Sequence, residues 1–170
     1  MNKIYNNLSI ENLKKTEWFN QFTYWEKALI RSGLEEGLDI SIYAKKEFNH
    51  PQMGQIRFGL KQGLDVLIYA KEEFDWTQMS EIREGLEKGL DVSIYAKTEL
   101  NEVQMREIRE GLEANIDVSI YAKKEYSWEQ MQQIRLGLEN SLNVLIYAKS
   151  EIPWKQMMKI RLKLSEESTL

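Results

Sequence analysis

The sequence predicts an all-α fold, a right-handed α-solenoid of two-helix repeats with a capping helix at each end. A phrase of 26 residues is written almost six times, and an arginine marks its period. Such a period is typical of a solenoid, in which each unit buries its core only against its neighbours. Helix-capping residues recur inside the phrases. The right hand is an analogy with other arrays of helix pairs. The arginines are Arg31, Arg57, Arg83, Arg109, Arg135 and Arg161.

Composition limits the function. The chain has 170 residues, a net charge of -4 and no cysteine. The mild charge argues against a general nucleic-acid binder, and the lack of cysteine excludes disulfides and thiolate metal sites. No apolar run is long enough to cross a membrane, and the first residues lack the apolar core of a signal peptide. A cytoplasmic protein without a cofactor is therefore expected.

The period divides the chain into three parts. Residues 1–22 fall outside it and are expected to form an N-terminal capping segment. Residues 23–152 hold five helical repeats, and residues 153–170 form a partial sixth repeat that acts as a C-terminal cap. The apolar residues of the expected N-terminal capping helix are Ile10, Leu13, Trp18 and Phe19.

The first helix of each repeat, helix A, has start and stop signals. In residues 75–100, Asp75 is a typical N-cap with Gln78 as its capping-box partner, and Phe74 packs on Met79 as a hydrophobic staple. Gly89 can end the helix in a left-handed conformation. Equivalent caps are Thr23, Asn49, Asn101 and Ser127, with Pro153 in the last repeat, and equivalent stops are Gly37, Gly63, Asn115 and Ser141.

A second helix, helix B, is expected after each stop. Asp91 can cap it, and the segment VSIYAKTE gives it about two turns. Equivalent caps are Asp39, Asp65, Asp117 and Asn143.

Three further series recur. A glycine inside helix A costs about 1 kcal/mol against alanine, so its recurrence predicts a close approach of the next repeat's backbone. The tyrosine of each IYAK motif is expected in the core between repeats, with a hydrogen-bonded hydroxyl. The arginines are expected to form a ladder of ion pairs, either with the helix B caps or with the recurring glutamates. These glutamates are Glu47, Glu73, Glu99, Glu125 and Glu151. The glycines are Gly33, Gly59, Gly85, Gly111 and Gly137, and the tyrosines are Tyr43, Tyr69, Tyr95, Tyr121 and Tyr147.

The phrase QM-x-x-IR-x-GLE-x-GLDVSIYAK-x-EF resembles a helical repeat found in proteins of Firmicutes and of their phages and conjugative elements. The resemblance covers about residues 23–164 and is specific at the level of the repeat. It transfers no functional residue. It implies a mobile-element origin, and small acidic proteins from such elements often block host defence nucleases.

No pattern points to catalysis or to a metal. His50 is the only histidine and stands at a helix start, where the other repeats have aromatic or acidic residues. A zinc site needs further histidine or cysteine ligands, and a catalytic carboxylate pair should be singular rather than repeated in every unit. The protein is therefore expected not to be an enzyme.

Function in a repeat protein is expected where the repeats differ on the surface. One variable set is apolar, and it forms either a partner or dimer surface or part of ordinary packing. The other set is acidic, and it forms either a solvated helical face or a surface that docks on a basic partner. The apolar set is Phe58, Leu67, Leu136, Leu145 and Leu162, and the acidic set is Glu81, Glu84, Glu87, Glu107, Glu110 and Glu113.

The sequence therefore predicts non-catalytic binding of a protein. The specific hypothesis is a phage or mobile-element inhibitor of a bacterial defence nuclease, similar to an anti-CRISPR, whose acidic face occupies a basic surface. One alternative is a general scaffold or a homo-oligomer that uses Phe58, Leu136 and Leu162. Another is an RNA or DNA binder that uses the basic C-terminal residues Lys155, Lys159, Arg161 and Lys163.

Overall fold

The structure is a computed structural model that describes residues 2–168, with side chains described for residues 5–168. The chain divides into two compact units, Met1–Glu87 and Lys88–Leu170. Every regular element in residues 2–168 is helical, which confirms the all-α class. Within each unit, consecutive long helices pack on one another, as expected of a helical repeat. The hand of the solenoid and the capping role of the two ends stay predictions.

The first unit contains two short helices followed by three long ones. Helix α3 packs on α4, and α4 packs on α5. The elements are a 3-10 turn at Asn2–Asn7, α1 (Ile10–Leu13), α2 (Glu17–Asn20), α3 (Tyr24–Glu35), α4 (His50–Lys61), a 3-10 turn at Val66–Ile68 and α5 (Trp76–Glu87).

The second unit alternates single 3-10 turns with long helices. Helix α6 packs on α7, and α7 packs on α8. The elements are a 3-10 turn at Val92–Ile94, α6 (Glu102–Glu113), a 3-10 turn at Val118–Ile120, α7 (Trp128–Glu139), a 3-10 turn at Val144–Ile146 and α8 (Trp154–Glu167).

The N-terminal segment forms two short helices rather than one capping helix. The break occurs at Thr16, whose hydroxyl accepts a hydrogen bond from the Phe19 backbone N–H at 3.1 Å and so starts α2. Leu13 and Phe19 are buried as expected. Trp18 is half-buried and stacks on Tyr5 with the ring centroids 4.1 Å apart.

The predicted capping boxes at the starts of helix A are confirmed. Asp75 accepts a hydrogen bond from the Gln78 backbone N–H, and Gln78 Oε1 accepts one from the Asp75 N–H, both at 2.9 Å. Pro153 makes no side-chain cap. The other reciprocal pairs are Thr23 with Glu26, Asn49 with Gln52, Asn101 with Gln104 and Ser127 with Gln130.

The capping glutamines have a second role that the sequence did not reveal. Gln52 Nε2 donates at 2.7 Å to the Phe74 carbonyl, which directly precedes the cap of the next helix A. Gln104 makes the same bond to Tyr126, and Gln130 to Ile152, each at 2.7 Å. Each of these three glutamines therefore ties the start of one long helix to the start of the next within its unit.

The predicted ends of helix A are also confirmed. All five stop residues have a positive φ, including Asn115 at 55° and Ser141 at 57°. At the end of α3, the Leu38 N–H donates to the Gly33 carbonyl and the Gly37 N–H to the Leu34 carbonyl. This pair of bonds is the Schellman motif, which satisfies carbonyls that the helix leaves free.

The predicted helix B is wrong in length, because four of the five are single 3-10 turns of three residues. The Asp65 carboxylate accepts from the Leu67 N–H at 3.2 Å, which caps the turn as expected. Tyr69 then leaves the helical region, and the Lys71 N–H turns back to the Tyr69 carbonyl. After Asp39 the chain forms only hydrogen-bonded turns, and Asn143 makes no side-chain cap.

The glycine inside helix A has a different cause from the one predicted. A Cβ on Gly33 would lie 1.8 Å from the Tyr43 hydroxyl oxygen, within the same repeat. That hydroxyl donates to the Leu29 carbonyl at 3.0 Å, so the tyrosine packs against helix α3 and is fully buried. The glycine therefore makes room for the repeat's own tyrosine rather than for the backbone of the next repeat. The same arrangement recurs at Gly59 with Tyr69, Gly111 with Tyr121 and Gly137 with Tyr147.

Candidate functional site

Four arginines each bind a side chain on the preceding long helix, but the partners differ from those predicted. The four are Arg57, Arg83, Arg135 and Arg161. Arg135 on α7 donates from Nε to Glu107 at 2.8 Å and lies 2.9 Å from Glu110, both on α6. It also binds Glu139 of its own helix at 2.7 Å. The partners are thus glutamates of helix A itself, and neither the helix B caps nor the recurring glutamates of the Glu47 series take part in this rung. We call these arginines and their partners the arginine ladder.

Other rungs use the same positions with different residues. Arg83 donates from Nε to Gln55 Oε1 at 2.9 Å, pairs with Glu87, and lies over the Phe58 ring at 5.8 Å. Arg161 donates from Nε to Gln133 at 3.1 Å. An acceptor on the preceding helix therefore serves the Nε of each of these arginines.

The Arg57 rung lacks that acceptor. Leu29 stands where the later repeats have glutamine or glutamate, and Arg57 Nε is buried without a hydrogen-bond partner among the described residues. The guanidinium instead binds the Ser32 hydroxyl and Glu36, each at 2.7 Å. Lys61 also reaches Glu36 at 3.1 Å.

Arginines bind four of the six glutamates of the predicted acidic surface, Glu87, Glu107, Glu110 and Glu113. Glu81 and Glu107 are each only 4% exposed, so the expectation that they lie on a solvated face is wrong. Glu110 is half-buried against Arg135. Exposed Glu87 and Glu113 pair with arginines of their own helices, while half-buried Glu84 accepts from Ser80 at 3.3 Å.

The electrostatics of these carboxylates differ from one to the next. Burial raises the pKa of the Glu107 carboxyl despite the hydrogen bond from Arg135. Partial burial also acts to raise the pKa of Glu113, but hydrogen bonds from Lys88 and Arg109 outweigh it and the pKa is lowered. These groups therefore serve as internal partners of cations.

The predicted apolar residues are largely at the surface. Leu67 and Leu145 are 65% and 67% exposed, Phe58 and Leu162 are exposed, and Leu136 is half-buried. At the position of Leu67, the repeat at 91–94 has Ser93, whose hydroxyl donates to the Asp91 carboxylate at 2.6 Å. Two repeats thus have an exposed leucine where a serine forms an internal bond elsewhere.

Exposed aromatic residues that the sequence analysis did not single out lie at the helix starts of the first unit. Tyr24 and Trp25 are 70% and 64% exposed, Trp76 is 47% exposed, and His50 is exposed as predicted. The Tyr24 and Trp25 rings are 5.1 Å apart, and the Trp25 and His50 rings 6.3 Å. We call these four residues the aromatic edge. Its signal in the sequence is the recurrence of aromatic residues at the first helical position.

The capping network fixes the aromatic edge. Gln52 joins the starts of α4 and α5, and Arg83 joins the middles of the same helices through Gln55. Trp25 and His50 meet at the starts of α3 and α4, while Lys61 meets Glu36 at their ends. The three helices therefore run parallel, and their first residues lie side by side.

Three further features bear on chemistry. Lys155, Lys159 and Lys163 on α8 are exposed, whereas Arg161 is half-buried in the ladder. A cavity of about 420 Å³ lies between the N-terminal segment and the end of α3, lined by Asn6, Asn7, Leu34, Gly37, Leu38 and Asp39. Among the described residues, no cluster of histidine, aspartate and glutamate could hold a metal ion, and no helix has the length and apolarity of a membrane span.

Comparisons with protein-family models, with curated proteins and with solved structures found no match for this chain. The resemblance to a mobile-element repeat stays a prediction.

Proposed function

We propose that the chain is a non-catalytic helical-repeat module that binds another protein through the aromatic edge. The exposure of Tyr24, Trp25 and Trp76 carries this proposal. Tryptophan and tyrosine are enriched among the residues that dominate the binding energy of protein interfaces, and exposed apolar patches mark interaction sites. Capping boxes and Gln52 hold the helix starts in place, so the rings stand on a fixed frame.

An inhibitor of a bacterial defence nuclease is one form of this proposal, and the resemblance to mobile-element proteins supports it. The acidic residues support it less, because Glu81 and Glu107 are buried. Glu87, Glu110 and Glu113 pair with arginines, and Glu113 also pairs with Lys88. Inhibition, if present, is therefore expected to depend on the aromatic edge. A DNA-cleavage assay with a purified defence nuclease tests this form by comparing the chain with an edge variant.

Affinity capture tests the proposal as a whole. Tagged wild type, a Trp25→Ala/Trp76→Ala variant and a Leu67→Ser/Leu145→Ser variant are incubated with a nuclease-treated bacterial lysate. The leucine pair is the matched control, since serine already stands at that position in other repeats. We expect one protein in near-equal amount with wild type and the leucine control, and its loss with the tryptophan pair. Equal retention of that protein by all three would refute binding through the edge.

A further inference from the structure

We propose that the aromatic edge binds a proline-rich segment of its partner in the polyproline II conformation. This inference rests on the proposed function and names the chemistry that the same surface recognises. It follows from the size of the surface, its repeat distance and its lack of charge.

The exposed area suits a peptide better than a folded partner. Aromatic side chains offer roughly 150–250 Å² each, so the exposed parts of Tyr24, Trp25 and Trp76 together present roughly 400 Å². A stable interface between two folded proteins, a second copy included, needs about 800 Å² on each side. The aromatic edge provides about half of that.

The spacing expected of the helix starts matches polyproline II. Packed helices lie about 8–10 Å apart, so the first residues of α3, α4 and α5 are expected to repeat at about that distance along the edge. A polyproline II helix has three residues per turn and rises about 3.1 Å per residue. Every third residue of such a peptide therefore returns to the same side after about 9.3 Å, in step with Tyr24, His50 and Trp76.

The polar chemistry of the aromatic edge is also appropriate. Polyproline II has no internal hydrogen bonds, so its carbonyls need external donors. The Tyr24 hydroxyl and the indole N–H groups of Trp25 and Trp76 are such donors. None of them donates within the part of the chain that the structure describes. Tyr24, Trp25 and Trp76 carry no formal charge, which favours an uncharged proline-rich ligand over an anionic one.

Fluorescence anisotropy with labelled decaproline tests the inference on the full chain. We expect saturable binding that changes little between low and high salt, and a glycine-serine peptide of equal length should not bind. Trp25→Ala and Trp76→Ala should each weaken binding about tenfold, the effect of losing one interface aromatic. The matched control is Trp128→Ala, because Trp128 also starts a long helix and is 39% exposed, but its preceding neighbour at that position is Glu102.

The opposing outcomes are distinct. No anisotropy change with decaproline, equal weakening by Trp128→Ala, or binding of anionic vesicles or single-stranded DNA in place of decaproline would each overturn the inference. If decaproline fails while the Trp25→Ala/Trp76→Ala pair still loses the captured protein, the proposed function stands and only the polyproline chemistry is wrong. Circular dichroism of each variant checks that helicity is unchanged, as expected for exposed rings.

Discussion

Arg57 in the first unit and Arg135 in the second occupy the same position in their repeats but have different surroundings. Arg135 satisfies all three guanidinium nitrogens with Glu107, Glu110 and Glu139. Arg57 leaves Nε buried without a partner among the described residues and binds at one terminal nitrogen. One repeat can thus lose a rung contact while its capping boxes, its Schellman motif and its tyrosine stay intact. The ladder is therefore an addition to the repeat and not a condition for forming it.

The largest expected effect comes from breaking the richer rung. Arg135→Met leaves the buried Glu107 carboxylate without its cation, and we expect the free energy of unfolding to fall by about 3 kcal/mol. Arg57→Met should cost much less, because Glu36 keeps Lys61. Urea unfolding measures both variants. The double variant Glu107→Met/Arg135→Met should recover most of the loss. Equal losses at the two arginines would contradict the comparison.

A second variant removes the Nε acceptor of Arg83, so that its rung resembles that of Arg57. Gln55→Leu removes the acceptor of Arg83 Nε, and an unsatisfied buried donor costs about 1–3 kcal/mol. Gln55→Glu keeps an acceptor and serves as the control. Unfolding in urea should show a loss for leucine alone, and a neutral Gln55→Leu would show that the Nε contact has no energetic weight.

The converse change should supply the acceptor that Arg57 Nε lacks and so stabilise its rung. Leu29→Gln offers Arg57 Nε an acceptor at the position that Gln55 and Gln133 occupy for Arg83 and Arg161. We expect a gain of about 1 kcal/mol. Leu29→Met lacks the acceptor and should give no gain. Combining Leu29→Gln with Arg57→Met should abolish the gain, which a double-mutant cycle of unfolding free energies can measure.

The smallest expected effect is in the pH dependence of stability. Burial raises the pKa of Glu107, so its stabilisation is full below the ordinary glutamate pKa and is lost as the pH rises through the folded value. Hydrogen bonding from Lys61 lowers the pKa of Glu36, so its contribution is present above the ordinary value and is lost as the pH falls through the folded one.

Replacing Glu36 or Glu107 with glutamine should therefore change opposite limbs of the curve of stability against pH. Glu36→Gln should reduce the acid-side loss of stability, and Glu107→Gln should remove the decline just above the ordinary glutamate pKa. Thermal unfolding across the acid range measures both slopes. Identical curves for the two variants would mean that the two carboxylates do not differ in the way their environments imply.

Local features could be predicted from the sequence because a few neighbouring residues decide them. The capping boxes connect residues three apart, and Ser141 shows a positive φ because the Schellman motif depends on its own turn. The predicted length of helix B was wrong because the apolar spacing of VSIYAKTE fits two turns of α-helix as well as it fits a single 3-10 turn. The tyrosine ends the 3-10 turn, because its hydroxyl donates to a helix A carbonyl 14 positions earlier, as Tyr69 does to Gln55.

The candidate site was predictable only in part. The exposure of Leu67 and Leu145 decides between the two alternatives, a partner surface and ordinary packing, that their variation between repeats left open. The burial of Glu107 was not expected, because its partner Arg135 stands 28 positions later and the contact depends on how two helices align. The aromatic edge forms from residues in three separate repeats, so no single segment displays it.

The pairing of Gly33 with Tyr43 has a consequence for exchanging or multiplying repeats. Both partners lie between the same two N-caps, Thr23 and Asn49. A splice made directly before an N-cap therefore moves the glycine, the tyrosine and the helix stop together as one cassette. A splice inside helix A would separate them and let a foreign side chain meet the tyrosine hydroxyl. Moving a cassette breaks the hydrogen bond from its capping glutamine to the segment that follows. The acceptor of that bond is a backbone carbonyl, which any recipient sequence supplies.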